Sequence, residues 1–153
     1  MDLLTTAKNI ADRVEAESVK QNVPVAVTVI DIHGNVVLTH RATGAPAFSL
    51  ELAERKAYTS ALVGMRTADL VPLVQPGAEL YPLLAVSGGR YSAMGGGVPL
   101  TNEGQVIAAS TMATSCSVVP PLTPTPAITW PSLVNGTPPP IAEYLPPETA
   151  RRG

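Results

Sequence analysis

The chain is poor in several things that usually advertise a function. One cysteine in 153 residues excludes an internal disulfide framework and a multi-thiolate metal site. Charged residues make up only 14% of the chain and the formal net charge is −2, so the basic face of a nucleic-acid binder is not expected. No 18-residue apolar run is present, and the opening MDLLTTAKNIADRVEAE carries acids where a secretory leader is basic and then apolar. The expectation is a soluble, cytoplasmic protein without a membrane or nucleic-acid partner. The sequence also lacks a G-x-S-x-G elbow, an H-E-x-x-H pair, a C-x-x-C motif and a Walker motif. Gly95-Gly96-Gly97 lacks dinucleotide-binding spacing, and Val98-Pro99-Leu100 follows it instead of a helix.

What is present is unevenly distributed. A hydrophobic content of 45% suffices for one domain with a core. Ten of the 16 prolines lie between Pro120 and Pro147, and no charge occurs from Gly104 to Ala142. That stretch also carries Val118, Val119, Leu122, Ile128, Trp130, Leu133 and Val134. Such an arm favours extended or polyproline backbone and is expected to lie against its own domain or a neighbouring subunit. The chain therefore divides into a domain at 1–110 and a proline-rich arm at 111–153. Cys116, in apolar uncharged surroundings, reads as a buried structural thiol before it reads as a nucleophile.

Over 1–110 the pattern predicts α/β structure of the α+β type. Leu3, Ala7, Ile10, Ala11, Val14 and Ser18 recur at helical spacing, and Asn22 and Pro24 end that helix. Val25–Ile30 and Val36–Arg41 flank a His-Gly-Asn turn, a hairpin signal. Ser49 is placed to cap a second helix whose small face is Ala53, Ala57, Ser60, Ala61 and Gly64. Residues from Pro72 to Pro82 read as loop, with strands expected at Leu83–Val86, Tyr91–Met94 and Gln105–Ser110. Elements in this order imply an antiparallel sheet with helices packed on it, not a doubly wound parallel sheet.

An ordered series of motifs, VPVAVTVIDIHGNVVLTHRATGAP, the Lys56-Ala57 pair, VQPGAELYPL and GGGVPLTNEGQVIAA, resembles the GlcG/HbpS-like family. That family includes the C-terminal domain of PduO-type proteins and the OrfY-type proteins of diol and glycerol operons. The resemblance spans roughly residues 3–109. It implies a profilin-like fold, homo-oligomers from dimer to octamer, and in some members haem or tetrapyrrole binding or haem degradation. Two departures stand out. The family's Gly-Val-Ser-Gly-Gly turn and closing helix are replaced by Thr111–Cys116 and the arm, so the arm stands in for that helix or the reading frame has slipped. The family's Arg-Met-Asp-Gly-Ala segment reads Arg41-Ala42-Thr43-Gly44-Ala45, without the acid.

Haem iron takes an axial His, Cys, Met or Tyr, and its propionates take Arg or Lys. Haem-binding relatives are expected to use a first-helix histidine, and residues 3–20 contain none. The remaining candidates are His33 at the hairpin tip and His40 near the end of the second strand, about 23 Å apart along an extended chain. Each has a plain alternative: His33 as an exposed turn residue, His40 as a satisfied, partly buried one. A small anionic ligand is the other expectation. Arg41, Lys56 and the backbone N–H groups of Gly95, Gly96 and Gly97 would form its pocket. The alternative makes Arg41 and Lys56 surface cations paired with Glu51, Glu54 or Asp31, and the glycines a tight bend under the second helix. Beside the haem-binding reading stand two others. One is an enzyme or accessory protein of diol or hydroxy-acid catabolism that binds a carboxylate, with His33 or His40 working with Tyr81 or Tyr91 as acid and base. The other is a structural assembly subunit.

Overall fold

A computed structural model of the chain describes residues 2–102 and 104–114, the last three by their backbone only. The expectations for the arm beyond Thr114, Cys116 included, lie outside these residues. Helix α1 spans Leu3–Gln21. Its first turn is capped by the Asp2 carboxylate, which accepts from the N–H groups of Leu4 and Thr5, each at 3.2 Å. Asn22, in the left-handed region at φ 53°, ends it. The stripe read from the sequence is the buried face: Ala7, Ile10, Ala11, Val14 and Ser18, with Thr6 added.

Strands β1 (Val25–Asp31) and β2 (Val36–Arg41) form the expected hairpin. Helix α2 covers Phe48–Val63, and a short helix α3 covers Thr67–Leu70. Two 3-10 segments follow, Val71–Val74 and Tyr81–Gly89. Strands β3 (Gly97–Asn102) and β4 (Gln105–Thr114) complete a four-stranded antiparallel sheet of order β2-β1-β4-β3.

Alternation along β1 decides the layering. Val25, Val27 and Val29 join Ile10 and Val14 of α1 in one aliphatic cluster, while Ile30 and Ala26 pack with Ala57 and Ala53 of α2. Successive strand residues face opposite sides, so the two helices cover opposite faces of the sheet. This is why β1 is buried throughout from Val25 to Ile30.

Four local expectations are corrected. Ser49 does not cap α2: the helix begins at Phe48, just after Pro46, and Ser49 is buried within its first turn. Leu83–Ala85 is 3-10 helix, because Pro82 opens a helical turn; Val86 alone is extended, and Ser87, Gly88 and Gly89 all adopt positive φ, which ends any extended run. Tyr91–Met94 has no ladder partner; the Ser92 N–H donates instead to the Thr59 hydroxyl on α2 at 2.8 Å. The unforeseen strand is β3, which contains Pro99. It lies at the sheet edge, where a missing N–H is tolerated. Strand β4 also runs on to Thr114, past the strand end expected at Ser110.

Candidate functional site

The β1–β2 turn is built around one carboxylate. Asp31 accepts from the N–H groups of His33 and Asn35, each at 2.9 Å, and from the Asn35 side-chain amide at 3.2 Å. The backbone bond from Asn35, with the other donors adding to it, holds the Asp31 carboxyl below the usual carboxylate range against a small opposing effect of burial. Gly34, at φ +84°, lets the chain turn against α2. A methyl group there would lie 2.8 Å from the Tyr58 ring, and Leu62 is the next neighbour. The result is a firmly seated tip with His33 exposed on it. Ile32, Val36 and Leu62 are also exposed around it.

The other wall comes from α2 and the segment Ser87–Arg90. The Arg90 guanidinium stacks on Tyr58, its carbon 4.0 Å from the ring centroid. One of its nitrogens, Nη2, donates to Glu54 at 3.1 Å and to the carbonyl of Gly34 at 3.5 Å. Tyr91 meets Tyr58 edge-on, with centroids 5.3 Å apart, and burial pushes its hydroxyl above the ordinary tyrosine value. Arg55 is clamped by Glu51, at 2.7 and 2.9 Å, and donates to the carbonyl of Gly89. Glu51, Glu54, Arg55, Ser87, Gly88 and Arg90 line a cavity of about 350 Å³.

The residues singled out from the sequence fall into three groups. His33 stands on the tip just described. His40 pairs with Val27 across the ladder, on the α1 side of the sheet, with Nε2 3.6 Å from the Glu15 carboxylate and no hydrogen bond at that nitrogen among the described residues. His33 and His40 thus sit at different ends of β2. Neither bonds to Tyr81 or Tyr91 among the described residues.

Lys56 and Gly97 are brought together, but tightly: a methyl group on Gly97 would lie 2.5 Å from the Lys56 carbonyl oxygen. That is the close-packed bend under the helix, and the Thr67 hydroxyl accepts the Gly97 N–H at 2.8 Å within it. Gly95 has only Ala68 nearby, and Gly96 takes φ 123°. Lys56 is not a surface cation. It is 1% exposed, forms no ion pair among the described residues, and burial lowers its pKa. The acids proposed as its partners are engaged elsewhere: Glu51 by Arg55, Glu54 by Arg90, Asp31 by the turn. Arg41, exposed at the end of β2, donates to the carbonyl of Ala45.

Arg55, Arg90, Tyr58 and Ser87 escaped the sequence reading. The i,i+4 pair Glu51/Arg55 was a legible signal. Arg90 follows Ser87-Gly88-Gly89, a run of small residues suited to a left-handed turn, but its pairing with Glu54 spans 36 residues and has no local signature.

These positions bear on whether haem suits the site. Among the described residues no cluster of three or more His, Cys, Asp or Glu side chains could hold a metal ion. Haem iron needs no such cluster, since the porphyrin supplies four nitrogens and the protein one axial donor. An exposed imidazole with an apolar surround and a neighbouring guanidinium meets that requirement, and the tip offers all three.

Comparison with known proteins gives a consistent result. Residues 3–117 match the family model described as haem degrading protein HbpS-like. A 15.0 kDa protein of Citrobacter freundii, from the dhaT–dhaS intergenic region and itself uncharacterised, is 39% identical over 106 residues, which are 69% of this chain and 75% of that protein. The crystal structure of OrfY from Klebsiella pneumoniae superposes with a TM-score of 0.69 at 32% identity, covering 72% of this chain and 76% of its own. A PduOC–haem complex gives a TM-score of 0.63 at 33% identity, covering 73% and 78%.

Proposed function

The chain belongs to the HbpS-like family, and on that premise we propose that it binds haem or a related tetrapyrrole at the β1–β2 tip. The observation that carries this reading is the grouping at one tip of His33, the exposed apolar side chains of Ile32, Val36 and Leu62, and Arg90 bonded to Gly34. His33 would serve as the single axial ligand, and Arg90 would neutralise a propionate. Bound there, haem would supply a redox-active iron. Asp31 fixes the turn that presents His33, and Tyr58 braces it through Gly34 and carries Arg90. His40 is the weaker candidate, because its Nε2 already faces Glu15.

Haemin added to the full chain should give a shifted Soret band saturating near one equivalent. Ile32→Asp, which puts a charge into the apolar surround, should weaken binding by about tenfold or more. An unshifted band, or equal affinity for Ile32→Asp, would contradict the reading.

A further inference from the structure

Lys56 is the buried ionisable group that the haem reading leaves without a task. It is 1% exposed and forms no ion pair among the described residues. Burial alone lowers its pKa; no hydrogen bond or neighbouring charge contributes. The buried hydroxyls of this half of the molecule fall into two sets. That of Thr28 is held by Thr39 at 2.9 Å, that of Thr59 donates to the Arg55 carbonyl at 2.7 Å, that of Ser60 donates to the Met65 carbonyl at 2.8 Å, and that of Thr67 accepts the Gly97 N–H. Ser49 and Thr111, both 0% exposed, are the exceptions, with hydroxyls that have no hydrogen-bond partner among the described residues. Both lie in the layer that holds the lysine. Ser49, Ala53 and Lys56 share the buried stripe of α2, and helical side chains lean towards the N-terminus, which is the direction from Lys56 to Ser49. Thr111 is the ladder partner of Gly97, the residue against which the Lys56 carbonyl is pressed.

We propose that Lys56, Ser49 and Thr111 form an internal site for a small monovalent anion of halide size, held between α2 and the sheet. The chemistry of the three groups selects the ligand. An ammonium carries three donors and no acceptor, and each hydroxyl has one hydrogen to give, so together they offer donors to a shared acceptor. Glu51, Glu54 and Asp31 are engaged elsewhere and do not supply it. A buried ammonium without a counterion is costly, and water would satisfy its N–H groups without neutralising its charge. One cation calls for one negative charge. Close packing sets the size: α2 lies so near the sheet that a methyl group on Gly97 would overlap the Lys56 carbonyl, which leaves no room for sulfate or phosphate. The site lies inside the α2 layer and not at the β1–β2 tip, so it does not depend on haem binding.

The test uses the full chain near neutral pH, with denaturant melts in sodium chloride and in sodium sulfate at matched ionic strength, and with chlorine NMR line broadening as a direct readout of binding. The unfolding midpoint of the parent should rise with chloride and saturate, on top of the steady rise that sulfate gives through its exclusion from protein surfaces. Lys56→Met should lose the saturating part and the excess line broadening. Thr111→Val and Ser49→Ala keep the charge and lose one donor each, so each should weaken chloride binding by about threefold to tenfold. A circular dichroism spectrum matching the parent shows that each variant is folded. Crystals of the parent soaked in bromide give an answer that needs no variant, an anomalous peak beside Lys56. The proposal is overturned if parent and Lys56→Met respond alike to chloride, if they broaden the chlorine line alike, or if the bromide-soaked crystal shows water alone at Lys56.

Discussion

The two faces of the sheet are made of different material. Beneath α1 lie Val25, Val27, Val29, Val98 and Leu100, met by Ile10 and Val14: large aliphatic side chains that exclude water. Beneath α2 lie Ala26, Ala109, Thr28, Thr111 and a single large aliphatic residue of β1, Ile30, met by Ala53, Ala57, Ser49 and Lys56. There the hydroxyls of Ser49 and Thr111 are buried without hydrogen-bond partners among the described residues. The first face contributes hydrophobic stabilisation. The second allows close approach, and α2 comes near enough for its Lys56 carbonyl to touch Gly97. That approach seats the helix firmly, so Glu51, Glu54, Arg55 and Leu62 of α2, with the buried Tyr58 beside them, carry the candidate site on a rigid mount.

If this contrast is right, substitutions on the two faces should behave differently. The largest effect is expected on the aliphatic side: Ile10→Ala should cost roughly 2–5 kcal/mol in denaturant melts while leaving haemin affinity unchanged in the folded fraction. Gly97→Ala, on the close-packed side, should cost about 1–3 kcal/mol by forcing α2 off the sheet. Unlike Ile10→Ala it should also disturb the tip, read as a change in Tyr58 and Tyr91 fluorescence. Lys56→Met should stabilise the chain, by about 1–2 kcal/mol at neutral pH, because it removes a buried charge that forms no ion pair among the described residues. The sign follows from a pKa lowered below its ordinary 10.5: the unfolded chain holds the proton more tightly, so the parent gains stability as pH rises towards that value. The gap between variant and parent should therefore close in alkali. Equal melting temperatures at neutral pH would show that Lys56 finds compensation.

The smallest effect concerns the turn. Asp31→Asn should cost about 1 kcal/mol. Its depressed carboxyl pKa makes its contribution present above the ordinary value of 3.8 and lost as pH falls through the folded value. Acid melts of parent and variant should accordingly converge.

Much of this contrast was legible in the sequence. The stripe on α1, the hairpin, the small face of α2 and the antiparallel arrangement follow from periodicity and turn chemistry, which are local. The family resemblance rested on motifs read in order. What escaped was non-local. Pro99 hid β3, because only sheet order reveals an edge position. Lys56 was read either as a pocket cation or as surface charge, because a lone lysine on a small-residue face gives no sign of its burial. Arg90 finds Glu54, Gly34 and Tyr58 only after the chain has folded, so the cavity had no signature at all.

Ligand binding at the β1–β2 tip would fall on the α2 side of the molecule, at His33, and not on the α1 side, at His40. Haemin titration of His33→Ala and His40→Ala, followed at the Soret band, tests this most directly. Binding at the tip requires about tenfold or greater weakening for His33→Ala and a change within about twofold for His40→Ala. The reverse ranking would contradict it.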